Sequence, residues 1–159
     1  MNVDRRTFLK QSILGVLSFG TALQANGAGA ETSDVEPQAV TLVQLSYTKD
    51  MDVNAAKAKE AIQRAVKDRA RWIVFPEMFL TGYTQDFDQE RLAKIFDELA
   101  ALCRSARLIG LFGTGWKEKG KAANSVRIVD PDTPTVIQFS KTCLAHGDAG
   151  FAVDRKSTR

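Results

Sequence analysis

A chain of 159 residues with 44% hydrophobic and 26% charged residues has the makeup of one globular domain, which excludes a disordered or fibrous protein. Its net charge of +3 belongs largely to the first thirty residues, where Arg5, Arg6 and Lys10 stand against Asp4; the remainder holds 19 basic and 18 acidic residues, net +1. A near-neutral domain of interspersed signs gives no electrostatic reason to expect nucleic acid or an anionic membrane as partner.

Residues 1–30 read as a targeting segment. The head Asp4-Arg5-Arg6-Thr7-Phe8-Leu9-Lys10 resembles the twin-arginine export motif. The moderately apolar run behind it, Ser12 to Ala25, is too short and too interrupted by Gly15, Ser18 and Gly20 to remain in a bilayer. It ends in Ala28-Gly29-Ala30, small residues that suit a signal peptidase, so cleavage is expected before Glu31. A twin-arginine signal peptide over 1–30 implies export to the periplasm or medium. Residues 31–38, polar and containing Pro37, are expected to be a flexible lead-in.

From Ala39 to Tyr47 the apolar positions Val40, Leu42, Val43 and Leu45 predict a strand buried on both faces. Asp52 is the predicted N-cap of a helix whose apolar face is Ala55, Ala58, Ala61, Ile62, Ala65 and Val66. Trp72 to Phe75 form a short buried strand that Pro76 ends. A second helix spans about Gln89 to Arg107, with Leu92, Ile95, Phe96, Leu99, Leu102, Cys103 and Ala106 on one face. Leu108–Phe112 and Asn124–Val129 read as strands around a charged hairpin-like segment, Lys117 to Lys121. Pro131 and Pro134 mark a turn before a last strand, Thr135–Phe139. This order predicts an α/β fold with helices on a sheet face. After Phe151 the pattern dissolves, leaving residues 152–159 as an unpatterned tail.

Two residues occupy positions suited to chemistry. Glu77 follows a buried strand and a proline, where partial desolvation would favour proton abstraction. Lys141 lies just past a strand end, where an ammonium can stabilise an oxyanion or activate a nucleophile. Cys103 and Cys143 lack CxxC spacing and have only His146 nearby, so no structural zinc is expected. In an oxidising compartment the two could pair with each other.

The run Trp72-Ile73-Val74-Phe75-Pro76-Glu77-Met78-Phe79-Leu80-Thr81-Gly82-Tyr83, with its preceding helix, is similar to the first signature of the nitrilase superfamily of carbon-nitrogen hydrolases. Asn124-Ser125, then Ile128-Val129-Asp130-Pro131 and Lys141-Thr142-Cys143-Leu144, resemble its second signature. The resemblance implies an αββα sandwich, of which residues 39–151 would supply about the first half. It also implies a Cys-Glu-Lys triad that hydrolyses nonpeptide carbon-nitrogen bonds through a covalent thioester or thioimidate, with no metal or organic cofactor. Glu77 would be the general base and Lys141 the oxyanion stabiliser. Small amides, nitriles or carbamoyl compounds would be the substrates, and a homo-oligomer is compatible with the family's habits.

The family's nucleophile lies on a third signature downstream of the lysine, and only eighteen residues follow Lys141 here. Cys103 falls within a helix's apolar stripe, where a cysteine is usually an inert small hydrophobe. Cys143, two positions past Lys141 where the family often has histidine, is the lesser candidate nucleophile. Asp148 lies near the place of a second family glutamate. The expectation is therefore a hydrolase domain without its nucleophilic cysteine; the alternative is a non-catalytic homologue that serves in binding or association.

Overall fold

The computed structural model describes residues 37–118 and 120–143. The leader over 1–30, most of the lead-in, His146, Asp148 and the tail over 152–159 lie outside those residues.

Helix α1, Met51–Lys67, starts at Asp50, whose carboxylate accepts the backbone N–H groups of Asp52 and Val53 at 2.9 and 3.3 Å. The cap is thus two residues earlier than the sequence suggests. Asp52 sits inside the first turn, where its charge complements the helix dipole and pairs with Arg91. Helix α2, Gln89–Ser105, begins the same way at Asp88. Both helices end alike. Beyond α1, Arg69 at φ 55° donates to Val66 O and Ala70 donates to Ala65 O; beyond α2, Arg107 at φ 53° donates to Arg104 O and Leu108 to Cys103 O. These are Schellman closures with arginine where glycine is the usual occupant.

Five strands, β1 (Val40–Leu42), β2 (Trp72–Val74), β3 (Ile109–Glu118), β4 (Lys121–Val129) and β5 (Ile137–Ser140), form one sheet in that order. The first three run parallel, and β3, β4 and β5 form antiparallel pairs. Two successive crossovers stepping in one direction, each right-handed, put α1 and α2 on the same face of the sheet, and they pack on each other there. One helical layer on one sheet layer is half of an αββα sandwich.

Alternation along the strands assigns the two faces. Ile73, Phe112, Trp116 and Arg127 point toward the helices; Phe112 stacks on Phe75 at 4.8 Å and meets Phe96 edge-on at 5.7 Å. Leu92, Ile95, Phe96 and Leu99 close this core from α2. The opposite face is also apolar, yet Leu42 there is 74% exposed and Phe139 63%. The expected first strand, buried on both faces, is instead three residues at the sheet edge, because its neighbours lie on one side only. The charged hairpin-like segment is the end of the β3–β4 hairpin: β3 runs on to Glu118, which pairs with Lys121, and Gly120 at φ 80° serves the turn.

Candidate active site

β2 ends at Val74; Phe75 N–H still donates to Leu111 O at 2.9 Å, Pro76 has no N–H to carry the ladder further, and Glu77 follows directly. The backbone then doubles back through Met78, a non-glycine residue at φ 54° whose side chain is fully buried. Gly82 N–H closes this turn on Met78 O at 2.7 Å. The loop presses against β3 at Gly113, where a Cβ would stand 2.1 Å from Pro76 O and 2.7 Å from Glu77 Cα. Any side chain at Gly113 would drive the Glu77 backbone away.

Three more contacts fix the loop. Gly115 N–H donates to the buried Thr81 hydroxyl at 2.8 Å, and Leu80 N–H to Gly113 O at 3.3 Å. From the first turn of α1, fully buried Asn54 donates its amide to Leu80 O at 3.1 Å and Thr48 O at 2.8 Å, while its oxygen accepts Thr48 N–H at 2.8 Å. This one amide ties the β1–α1 connection to the Glu77 loop.

Lys141 comes from the other side of the sheet's centre, directly after β5. Its backbone N–H donates to Asn124 O at 2.7 Å, and its Nζ lies 3.1 Å from Glu77 Oε1. The Asn124 side-chain amide, on β4, donates to the same Glu77 oxygen. By strand alternation Asn124 stands on the face away from the helices, since its neighbour Ser125 shares a register face with Trp116 and Arg127. The cluster therefore belongs to the open face. The side chains of Glu77 and Lys141 are 44% and 31% exposed, so the desolvation expected for Glu77 is not observed among the described residues. An ion pair this exposed is screened and adds little to stability.

Behind Lys141, on the helix side, a polar row braces β5: Arg127 donates to Gln138 at 2.6 Å, Gln138 to Glu118 at 2.7 Å, and the Ser125 and Ser140 hydroxyls are hydrogen-bonded at 3.0 Å. Arg127 itself lies over the Trp116 ring at 3.6 Å.

The cysteines separate sharply. Cys103 is buried in α2 beside Gly110, on the helix side of the sheet, and burial pushes its thiol up to about 12. Cys143 is exposed past β5, and both thiols are free. No group of three or more potential metal ligands occurs among the described residues.

Sequence reasoning singled out Glu77 and Lys141, and the fold brings them together. It gave no role to Asn124, Asn54 or Gly113. The available signal was an asparagine next to two alanines in a strand, since a buried amide must find partners.

This half-sandwich, with a carboxylate after β2 and an ammonium after β5, has the fold of solved amidases. An amidase from Nesterenkonia sp. superposes with a TM-score of 0.63 at 16% identity, over 72% of this chain and 47% of that one. A cysteine-to-alanine variant of that amidase, in complex with butyramide, gives 0.63 at 17% identity over the same shares. A carbon-nitrogen hydrolase from Helicobacter pylori G27 gives 0.58 at 16%, over 72% and 44%. The chain spans about half the length of these structures. No curated protein matches it. The carbon-nitrogen hydrolase family profile matches residues 39–156, and the chain belongs to that family.

Proposed function

We propose that this domain contributes the Glu77–Lys141 part of a hydrolase centre for nonpeptide carbon-nitrogen bonds, with a cysteine thiol as the third member. The observation that carries the proposal is the 3.1 Å approach of two side chains 64 residues apart, on a face otherwise lined by apolar groups. In this reading a thiolate attacks the amide or nitrile carbon. Glu77 takes the thiol proton and passes it to the departing amine, then deprotonates the water that cleaves the thioester. The Lys141 ammonium faces the oxygen that becomes negative. A layer covering the open face would exclude water and strengthen both interactions.

The thiol is assigned to polypeptide outside residues 1–159, with Cys143 as the lesser candidate. Short aliphatic amides are the first substrates to test, because a solved relative of the same fold was captured with butyramide. Nitriles and carbamoyl compounds follow. Export through the twin-arginine pathway belongs to the proposal and rests on Arg5 and Arg6; replacing both by lysine should retain a fused reporter in the cytoplasm. Homo-oligomers are part of the same reading.

The test is ammonia release from acetamide and butyramide by the chain from Glu31 onward, together with the nucleotide sequence beyond the Arg159 codon. Negligible turnover and a downstream frame encoding a further cysteine signature are expected. Turnover abolished by Cys143→Ala would move the nucleophile to that residue. Turnover that survives Glu77→Gln would overturn the proposal. A silent chain with no such frame would favour a binding or association role.

A further inference from the structure

We infer that Asn124 is a positioning residue that holds Glu77 and Lys141 in register with one another. Its two ends act on different partners. The side-chain amide donates to Glu77 Oε1, and the backbone carbonyl accepts the Lys141 N–H at 2.7 Å. Lys141 Nζ then returns to Glu77 Oε1 at 3.1 Å, so a closed ring of contacts runs from β4 to Glu77, across to Lys141 and back to β4.

Several features make the arrangement specific to an asparagine. Asn124 is 4% exposed, so its amide needs an internal partner, and among the described residues Glu77 is the acceptor it meets. Its cross-strand neighbour is Gly115, where a Cβ would crowd Thr81 Oγ1 at 2.9 Å and Phe87 at 3.0 Å, side chains of the loop that carries Glu77. Gly113, two residues along β3, admits the Glu77 backbone. β4 is paired on both edges, with β3 and β5, whereas Glu77 sits on a connection, and connections move more readily than paired strands. Both members of the pair therefore take their positions from one central residue. With two donors on Oε1, Oε2 is the oxygen turned over to proton transfer. Aspartate would place a second acceptor, and a second negative charge, against Glu77.

The inference leans on the hydrolase reading only for the purpose of that second oxygen, and its test needs no turnover. A water-soluble carbodiimide activates a carboxylate as an O-acylisourea; an adjacent amine displaces the urea and forms an amide, with net loss of one water from the protein. In the chain from Glu31 onward, mass spectrometry should find a Glu77–Lys141 crosslink. Asn124→Ala should lower its yield several-fold while circular dichroism and the hydrogen-exchange protection of the Lys141 amide stay as in the parent, because the backbone bond remains. Asn124→Asp, of nearly the same size, should lower it as far. No crosslink in the parent chain, an undiminished yield in either variant, or a loss of Lys141 amide protection in parallel with the crosslink would each overturn the inference. A chain that crosslinks as expected, is silent toward amides and has no downstream frame encoding a cysteine signature would sink the function proposal and leave this one standing.

Discussion

The two faces of the sheet are built from the same kinds of residue and have different fates. Toward the helices, Phe112, Ile73 and Val129 are fully buried against Phe96, Leu99 and Cys103. Away from them, Leu42, Ile137 and Phe139 are just as apolar and remain exposed, and Glu77, Asn124 and Lys141 lie on that side. Strands apolar on both faces belong to sheets covered on both. The helix face thus holds the domain's stability, while the open face holds the Glu77–Asn124–Lys141 cluster and an uncovered apolar surface of the kind that marks an interaction site.

The contrast is sharpest in the cores themselves. Phe96→Ala removes a ring packed against Phe112 and Trp116 and should cost about 3–5 kcal/mol in urea unfolding. Phe139→Ala on the open face should stay within about 0.5 kcal/mol and improve solubility. Equal losses at the two positions would break the comparison.

Gly113→Ala tests the place where the loop crosses the sheet. The added methyl meets backbone rather than a flexible side-chain end, so overpacking of about 1–3 kcal/mol is expected, with the Glu77–Lys141 crosslink lost as the loop lifts. Full stability with an intact crosslink would show that the loop is not moulded by β3.

The thiols report the same division. Below pH 9, Cys143 should react with a thiol reagent at once and Cys103 only after denaturation, giving one fast equivalent in the folded chain. Burial raises the Cys103 thiol from the ordinary 9.0 to about 12, so between those values the folded state binds the proton that the unfolded state has released. Its contribution is fully present below pH 9 and is lost as pH rises to about 12. Cys103→Ser should remove that part of the alkaline decline.

The smallest effect concerns the helix ends. Arg69 occupies a left-handed position at φ 55° that glycine adopts without steric cost. Arg69→Gly should raise stability by about 0.5 kcal/mol, the relief of strain partly offset by the greater entropy of an unfolded glycine. A fall in melting temperature would show that the Arg69 side chain contributes more than its backbone costs.

Much of this architecture was legible in the chain. Helical periodicity gave α1 and α2 to within two residues, because their apolar stripes face a single core. Pro76 placed Glu77 at a strand end, and the family signatures named Glu77 and Lys141 as a pair. The first strand lies at the sheet edge, which its residues do not show, because an apolar run reports what a strand is suited to bury and not what lies beside it. Lys117 to Lys121 is the hairpin that the charged segment suggests, but its strands reach inward to Glu118 and Lys121, because charged side chains do not show how far a ladder extends.

The sequence by itself determined the α/β order, the family and the two residues of the pair, since these depend on local pattern and on motifs that survive without coordinates. Only the tertiary structure decided that Asn124 joins them, that Gly113 admits the Glu77 backbone, and that Cys103 faces away from the pair. Those facts depend on strand register and on which side of the sheet each residue faces. A shift of one residue in pairing reverses the face, and register is set by contacts between segments far apart in the chain.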